Sequence, residues 1–280
     1  MLNSQPLGFY SPSQLVQNAR RHCVEVRPAD VMYSQVDCTL ENLPGPPTVR
    51  LGLGMIGGLK AASAQRTVAA RQQAAFDGAE DLARRAGLEQ HEMTLLAGAD
   101  ALMSLSGHRR QQVWEAAALK SAPVLLRDAP VDEEFLELPE APEGEEVVWD
   151  YAATGLTLRS HPLALLRPLL VRRGCMNAAQ LDAAPNGRAV RACGIVTVRQ
   201  QPETANGTMF VSLEDETGSV QVIVWARVKV LQRVPLLRSR LMAVKGTWQR
   251  EGDVRNLIAG HIEDLTPLLG RLATASRDFR

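Results

Sequence analysis

The sequence predicts a multidomain α+β protein with a helical N-terminal part and a five-stranded β-barrel in its C-terminal part. Its 280 residues exceed one average domain, and a composition that is 45% hydrophobic and 22% charged excludes a disordered chain. Residues 48–120 are rich in strong helix formers and are interrupted by glycines, as in short helices joined by tight turns. From Arg188 onward, apolar and polar residues alternate with a period of two, which is typical of half-buried strands.

The formal charge of the chain is zero, with 31 Lys and Arg residues against 31 Asp and Glu residues, but it is unevenly distributed. Residues 121–150 carry ten acidic side chains and one basic one, whereas residues 188–280 carry nine acidic and 14 basic ones. The acidic stretch is also rich in proline, so we expect an exposed acidic linker at 121–150. The alternative is that this stretch mimics phosphate and shields a DNA-binding face when DNA is absent.

The first glycine-rich turn predicts one half of a tandem helix-hairpin-helix domain over residues 48–120. A helical run, Ala61–Gln73, follows a turn made of Gly57, Gly58, Leu59 and Lys60. A glycine turn at the start of a helix leaves backbone N–H groups exposed, and the helix dipole adds positive potential there. Phosphate binds at such a site without any reading of bases, so we expect the turn to contact the backbone of duplex DNA.

A second pattern of the same kind follows, with a helix over 89–97, a turn at 98–100 and a helix over 107–118. Arg109 and Arg110 lie near the start of the last helix and are candidate phosphate contacts. The alternative is that glycine-rich turns simply pack a helical domain. Asp100 would repel phosphate, which favours the structural role for the second hairpin.

The C-terminal pattern predicts the element order strand, strand, strand, helix, strand, strand. Strands are expected from Arg188 to about 199 and over 209–213, 219–225, 240–249 and 254–264, with a short helix over 226–234. Between the second and third strands, residues 214–218 form an acidic tight turn in which Gly218 can adopt positive φ. This order is that of an OB-fold, a five-stranded Greek-key barrel.

OB-folds bind oligonucleotides across their second and third strands, with aromatic platforms beside basic side chains. If Val211 and Leu213 point inward, Phe210 points to the opposite face, and Trp225 does so by the same alternation. Candidate phosphate contacts on this face are Arg199, Lys245, Arg250 and Arg255. Alternatively, Phe210 or Trp225 closes an end of the barrel or contacts a neighbouring domain. The alternative for any single arginine is that it is a solvated surface charge.

The sequence contains no other catalytic or metal-binding pattern. The four cysteines have no C-x-x-C spacing, and the five histidines have no ligand spacing such as H-E-x-x-H. No G-x-S-x-G is present, which argues against a hydrolase. Residues 52–57 have G-x-G-x-x-G spacing but do not follow a predicted strand, so a dinucleotide site is equally unsupported. No apolar stretch reaches the ~18 residues of a bilayer span and no signal-peptide pattern is present, so we expect a cytoplasmic protein with no membrane association.

Several segments together resemble a known family. They are Leu2–Tyr10, residues 50–71, Gly155–Leu163, Leu213–Gly218 and Ser276–Phe279. These segments are similar to the C-terminal portion of bacterial C-family DNA polymerases, in particular the error-prone ImuC type used in damage-induced mutagenesis. The resemblance runs over nearly all of the chain.

The resemblance implies a division of the chain into six parts. These are the end of a fingers domain at 1–47, the tandem helix-hairpin-helix domain at 48–120, the acidic linker at 121–150, a helical connector at 151–187, the OB-fold domain at 188–268 and a C-terminal tail at 269–280. It also implies a role in translesion synthesis, SOS mutagenesis and DNA repair, with this chain as a non-catalytic DNA-binding and partner-docking region.

The catalytic palm of the family, whose acidic residues hold Mg²⁺ for nucleotidyl transfer, has no match in this sequence. We therefore expect no catalytic residue, metal site or cofactor in the chain and no polymerase activity from it alone. The partners implied by the resemblance are primer-template duplex and single-stranded DNA, an ImuB-like Y-family protein, an ImuA-like protein and, only indirectly, the sliding clamp. The linker, the OB-fold surface and residues 276–280 are candidate docking points.

One residue departs from the family pattern. Lys60 stands where replicative members often have glycine, so the backbone is less free there, although the lysine could add a phosphate contact. A rival interpretation makes the chain a protein-interaction scaffold with only incidental DNA contact. An independent OB-fold enzyme, such as an accessory domain of a tRNA ligase, does not account for the hairpin segment.

Overall fold

The computed structural model describes residues 1–6, 10–41, 45, 47–119, 138–252 and 254–272, and the backbone of 277–279. The chain forms two compact units, Met1–Leu158 and Arg159–Arg280. The first, here called the N-terminal unit, is mainly helical, and the second, the C-terminal unit, is built on a β-barrel. The predicted α+β class, with a helix-hairpin-helix part and a five-stranded barrel, is confirmed. No helix in the described ranges is long and apolar enough to cross a membrane.

The N-terminal unit contains seven described helices and three short strands. In chain order they are α1 (Pro12–Arg21), β1 (Val26–Arg27), β2 (Thr39–Glu41), β3 (Thr48–Arg50), α2 (Ala61–Gln73), α3 (Ala79–Ala86), α4 (Gln90–Gly98), α5 (Met103–Ser106), α6 (Arg109–Ala118) and α7 (Glu143–Thr154). The sheet order is β1-β3-β2, with β1 parallel and β2 antiparallel to β3. A single-turn 3₁₀ helix, Leu53–Met55, lies between β3 and α2.

Local sequence signals explain where several of these helices begin and end. Ser11 caps α1 by accepting a hydrogen bond from the Gln14 N–H, and the Gln14 side chain bonds back to the Ser11 N–H. Helix α3 ends at Gly87, whose φ of +59° is unfavourable for residues with a Cβ atom. The apolar faces of the helices meet in one core, in which Leu53, Leu82 and Leu96 are fully buried.

The predicted boundary between residues 47 and 48 does not separate two compact bodies. Val16 and Val31, from the expected fingers part, belong to the same core as Leu96 and Leu102. Strand β1 also pairs with β3 across that boundary. Residues on both sides therefore bury their apolar surface together, and the structure corrects this division.

The last eight residues of the expected acidic linker are helical. Helix α7 starts at Glu143, and Val147, Glu146 and Asp150 on it are 1%, 8% and 7% exposed. Glu146 and Asp150 face a buried arginine, described below, so these two carboxylates are paired rather than solvated. The structure therefore corrects the prediction of an exposed linker for residues 145–150, whereas Glu143 is exposed. Residues 121–137 of the predicted linker lie outside the described residues.

The C-terminal unit contains a barrel, its covering helices and an added strand. In order these are α8 (Pro162–Arg172), α9 (Ala178–Asp182), β4 (Ala189–Gln200), β5 (Met209–Glu214), β6 (Ser219–Val224), α10 (Ala226–Leu231), α11 (Arg233–Arg238), β7 (Leu241–Glu251), β8 (Val254–Asp264) and β9 (Arg277–Phe279). One helix was expected between the third and fourth barrel strands. Two are found because Pro235 lacks an N–H and is compatible only with the first turn of a second helix.

The barrel closes in the order β4-β5-β6-β8-β7 and back to β4. Strands β6 and β8 are parallel and the other pairs within the barrel are antiparallel. This is the topology of the predicted OB-fold. Its interior is filled by alternating apolar side chains such as Val211, Val222 and Trp248, all at most 2% exposed. Strand β9, in the expected tail, extends the sheet by pairing with β4 in parallel.

The acidic turn between β5 and β6 forms as predicted, but its glycine has a different role. Asp215 accepts hydrogen bonds from the N–H groups of Thr217 at 2.8 Å and Gly218 at 3.0 Å, which closes the turn. Gly218 does not adopt positive φ. A Cβ atom there would lie 3.3 Å from the Cβ of Ala178, so glycine allows α9 to pack closely on the turn.

Candidate nucleic-acid interface

The first hairpin turn connects the 3₁₀ helix to α2 and is shaped by a close backbone contact. The Gly57 N–H donates to the carbonyl oxygen of Ala153 at 2.7 Å, and a Cβ atom on Gly57 would lie only 3.0 Å from that oxygen. Gly58 has a φ of +81°, in the region that favours glycine. Lys60 has φ −70° and ψ 141°, an extended conformation open to any residue, so the departure from glycine there costs no strain.

The start of α2 presents unbonded N–H groups beside an exposed cation. None of the hydrogen bonds found among the described residues uses the N–H of Gly58, Lys60, Ala61 or Ala62. Helix α2 has 13 residues, and its positive dipole end lies at this turn. The Lys60 side chain is exposed at the same place. This arrangement can bind a phosphate oxygen through backbone donors and one ammonium group.

One carboxylate lies near this turn and reduces its positive potential. Ser63, in the first turn of α2, donates a hydrogen bond to Glu92. Burial raises the pKa of Glu92, but hydrogen bonds from Ser63 and the Glu89 N–H, with the charges of Arg66 and Lys60, outweigh it and hold the pKa below its ordinary value. Glu92 is therefore ionised at neutral pH. The Lys60 ammonium group offsets part of this negative charge.

Arg109, predicted as a phosphate contact of the second hairpin, is buried instead. Its guanidinium bonds to Asp150 and to the Glu146 carbonyl oxygen at 3.0 Å, and lies 3.7 Å from Asp100. The side chain is 0% exposed. It cannot reach a phosphate outside the protein, and the structure corrects this prediction. The reason is that α7 supplies carboxylates that neutralise the arginine inside the core.

Arg110 is partly exposed and is paired with an acidic residue. Its guanidinium lies 2.8 Å from the Glu145 carboxylate and 3.3 Å from the Pro139 carbonyl oxygen. Asp100, at φ +60°, accepts a hydrogen bond from Gln112 at 2.7 Å and is buried. Gln112 thus bonds to Asp100 within the second hairpin, and Arg110 ties the hairpin to α7, which supports its structural interpretation.

In the C-terminal unit, Phe210 and Trp225 lie on the outside of strands β5 and β6. Phe210 pairs with Ile223 across the two strands, and Trp225 follows β6 directly and is 53% exposed. Together they line an open concavity of about 530 Å³. The rest of its lining is Thr204, Ala205, Asn206, Thr208, Ile223, Ala226 and Arg227. This is the face on which OB-folds bind oligonucleotides, and both aromatic rings are placed there as the alternation predicted.

The wall of this concavity is the loop between β4 and β5; the sequence predicts a polar, glycine-containing turn at 202–207 but not its position beside the aromatic pair. Asn206 and Gly207 adopt positive φ, and Lys229 on α10 donates to Gln201 at 2.7 Å and to the Gly207 carbonyl oxygen at 3.2 Å. These bonds fix the loop against α10. Arg227 is exposed at the rim, and its position two residues after Trp225 in a segment without acidic residues was the available signal.

Arg199 is buried at one end of the barrel and does not lie on the outer face with Phe210 and Trp225. A β-bulge between Val196 and Val198 shifts the register of β4, so that Arg199 lies opposite the inward-facing Val211. Its guanidinium donates to the Leu236 carbonyl oxygen at 2.8 Å and also to that of Ser239. The residue is 4% exposed, so the structure corrects its assignment as a phosphate contact.

The remaining predicted cations are exposed or partly exposed but are not grouped around the aromatic residues. Arg255 lies 2.6 Å from Asp182 on α9, and Arg250 faces Arg255 across the β7–β8 pair. Lys245 is exposed on β7 and pairs with Arg191 on β4, whereas Phe210 pairs with Gln200, nine residues further along the same strand. The structure therefore separates the predicted cluster, and among the cations that the structure describes only Arg227 lines the concavity with the aromatic pair.

The residues present do not fit the paired metal ions of nucleotidyl transfer. Within the ranges that the structure covers, no group of three or more His, Cys, Asp or Glu side chains is arranged to hold a metal. Glu146 and Asp150 form an acidic pair one turn apart on α7, but both carboxylates face the Arg109 guanidinium. No catalytic step is therefore assigned to these residues.

Comparisons with known proteins identify both the motif and the relatives of the chain. A family model described as "Helix-hairpin-helix motif" matches residues 23–112. Three relatives named "Error-prone DNA polymerase" match all of the chain: those of Ralstonia nicotianae at 54% identity, Bordetella parapertussis at 50% and Methylococcus capsulatus at 46%. The chain covers 27%, 27% and 29% of these proteins, respectively. Over its whole length, therefore, the chain is similar to the C-terminal region of bacterial error-prone DNA polymerases, and the family resemblance stated from its sequence is confirmed.

Proposed function

We propose that the chain is the non-catalytic DNA-binding region of an error-prone polymerase that acts in translesion synthesis. The observation that carries the proposal is the turn at Gly58 and Lys60, where unbonded N–H groups at the start of α2 meet an exposed ammonium group. This turn lies in the segment matched by the helix-hairpin-helix model. It would hold the phosphate backbone of primer-template duplex without reading its sequence.

The C-terminal unit would bind single-stranded template. Phe210 and Trp225 offer surfaces for base stacking, and Arg227 offers a phosphate contact beside them. Stacking is tolerant of sequence because every base has a π-face, which suits a polymerase region that must accept damaged templates. The C-terminal unit would position the template and would take no part in the nucleotidyl-transfer step.

The partner proteins of the whole polymerase are also part of this proposal. The family resemblance supports an ImuB-like Y-family protein and an ImuA-like protein as partners in the cytoplasm, with the sliding clamp reached only through them. The exposed side chains of α10 and α11 leave surface for such contacts. In this proposal, damage-induced mutagenesis requires that the chain bind DNA and also bind the partner proteins.

A titration of the chain with fluorescent primer-template duplex and with single-stranded oligonucleotide, at 50 and 200 mM salt, tests the proposal. Three phosphate contacts would lower the affinity roughly 40-fold between these salt concentrations, because bound phosphates release counterions. Different base sequences should give equal affinities. A salt-independent or sequence-specific signal would contradict the proposal.

A second candidate function is a protein-interaction scaffold with only incidental DNA contact. It is favoured by the exposed aliphatic side chains Val230 and Leu231, which are 74% and 73% exposed on α10. Gel shift with primer-template DNA and pull-down with purified ImuA-like and ImuB-like proteins distinguish the two functions. Pull-down without gel shift would support the scaffold.

A further inference from the structure

The outward side of α10 and α11 is an apolar surface in the C-terminal unit. It consists of Val230, Leu231, Val234 and Leu237, which are 74%, 73%, 63% and 41% exposed, and it is here called the α10–α11 surface. Four neighbouring aliphatic side chains exposed to this degree are unusual on a protein surface, and such a patch commonly marks an interaction site.

This exposure is not the result of a loosely attached segment. Leu236, on the opposite side of α11, is 0% exposed, and its carbonyl oxygen accepts the hydrogen bond from Arg199. Gln232, between the two helices, donates to the Gly260 carbonyl oxygen at 3.1 Å and accepts from the Ile262 N–H at 2.6 Å. The two helices are therefore fixed to β8, and they present the aliphatic side chains on a rigid support.

The same surface is positively charged. Residues 226–238, which span α10 and α11, contain four Lys and Arg residues and no Asp or Glu. Arg233 and Arg238 are exposed beside the aliphatic side chains, and neither makes an ion pair or hydrogen bond within the described part of the chain. A ligand for this surface must therefore bury apolar side chains and also supply negative charge.

We propose that the α10–α11 surface binds an acidic amphipathic segment of a partner protein. Leucine-like side chains of the segment would cover the aliphatic residues, and its carboxylates would pair with Arg233 and Arg238. A nucleic acid would satisfy the arginines but leave the aliphatic side chains without stacking partners. A two-fold pair of identical chains would place like charges against each other.

The inference deepens the docking part of the proposed function, but it does not depend on DNA binding because its residues differ from Phe210, Trp225 and Lys60. The probe is an 18-residue amphipathic peptide with leucines on one face and glutamates on the other, titrated against the full chain. A twin peptide with lysines in place of the glutamates tests the charge requirement. The variants are L231S with V234S, and R233S with R238S.

Matched controls exist in the same unit. Val254 is 61% exposed and Arg250 is also exposed, and both lie away from α10 and α11 on the β7–β8 hairpin. We expect saturable binding of the acidic peptide, a loss of at least tenfold in affinity in each double variant, and little change in V254S and R250S. Circular dichroism of every variant should match that of the original chain.

Several outcomes would overturn the inference. They are an absence of saturable binding, equal binding of the lysine peptide, equal affinity of the double variants and the controls, displacement of the peptide by oligonucleotide, and a dimer in solution that the double variants abolish. The oligonucleotide titration of the same variants keeps the two proposals apart. Peptide binding without DNA binding would support this docking site while contradicting the DNA-binding function.

Discussion

Arg109 and Asp150 form an ion pair between α6 and α7 from which solvent is almost completely excluded. The arginine side chain is 0% exposed and the aspartate side chain is 8% exposed. Glu146, one helical turn earlier on α7, places its carboxylate 3.4 Å from the same guanidinium. The Arg109 guanidinium also lies over the Trp149 ring, 5.7 Å from its centroid. One arginine thus joins the hairpin segment to a helix 34 residues or more further along the chain.

Replacing Arg109 by methionine should destabilise the N-terminal unit. The substitution leaves buried carboxylates without a counter-charge, and breaking a buried pair in this way costs about 3–5 kcal/mol. Hydrogen exchange of peptides from α6 and α7 measures the loss as faster exchange. Arg110→Met is the matched control, because its partly exposed ion pair with Glu145 should contribute less than about 1 kcal/mol. If the Arg109 variant exchanged as slowly as the original chain but bound DNA more weakly, the structural role of Arg109 would be contradicted.

Sequence patterns predicted the β5–β6 face of the barrel well because buried and more exposed residues alternate along these two strands. The same rule failed at Arg199, where the bulge before Val198 reverses which side chains face inward. It also could not distinguish Arg109 from Arg110, since α7, which buries Arg109, begins 34 residues further along the chain. Phe210 and Trp225 were placed correctly because alternation is a local property, whereas the arginine cluster depended on distances between strands.

Lys60→Gln should weaken duplex binding without affecting the fold. Lys60 is exposed, and its extended backbone conformation suits glutamine equally well. Removing one phosphate contact should reduce the slope of log affinity against log salt by about 0.9. Fluorescence anisotropy at four salt concentrations measures the slope. Arg84→Gln is the control, because Arg84 is a cation of the same unit whose side chain is 58% exposed and which already pairs with Asp81. Equal slopes for the two variants would remove Lys60 from the DNA contact.

Trp225→Ala and Phe210→Ala should each weaken single-strand binding. Stacking of a base on an aromatic side chain contributes about 1–3 kcal/mol, or roughly 5- to 150-fold in affinity. Titration with a single-stranded oligonucleotide at constant salt measures the change. Trp114→Ala is a closely matched control, since Trp114 is also 53% exposed but lies on α6 in the N-terminal unit. If the affinity is unchanged in both variants of the concavity, the barrel face is a protein-docking surface.

Arg167 and Glu216 make the stability of the C-terminal unit depend on pH. Arg167 on α8 donates two hydrogen bonds to the Glu216 carboxylate, from Nε to Oε1 at 2.6 Å and from Nη2 to Oε2 at 2.7 Å. Partial burial raises the pKa of Glu216, but the hydrogen bonds from Arg167 outweigh it and hold the pKa below its ordinary value of 4.5. The unfolded chain therefore binds the proton more readily than the folded one, so the stabilisation is complete above about pH 4.5 and is lost as the pH falls through the lower pKa of the folded state.

Glu216→Gln should accordingly lower the free energy of unfolding of the C-terminal unit by about 1–3 kcal/mol at pH 7, the usual contribution of hydrogen bonds to a charged group. The difference from the original chain should shrink below pH 4.5, because protonation then removes the same charge from the original glutamate. Denaturant titrations between pH 3 and 7, followed by hydrogen exchange of barrel peptides, measure both effects. Glu251→Gln, on the exposed β7–β8 hairpin, is the control and should show neither. A difference that stays constant with pH would mean that the carboxylate charge of Glu216 does not stabilise the turn.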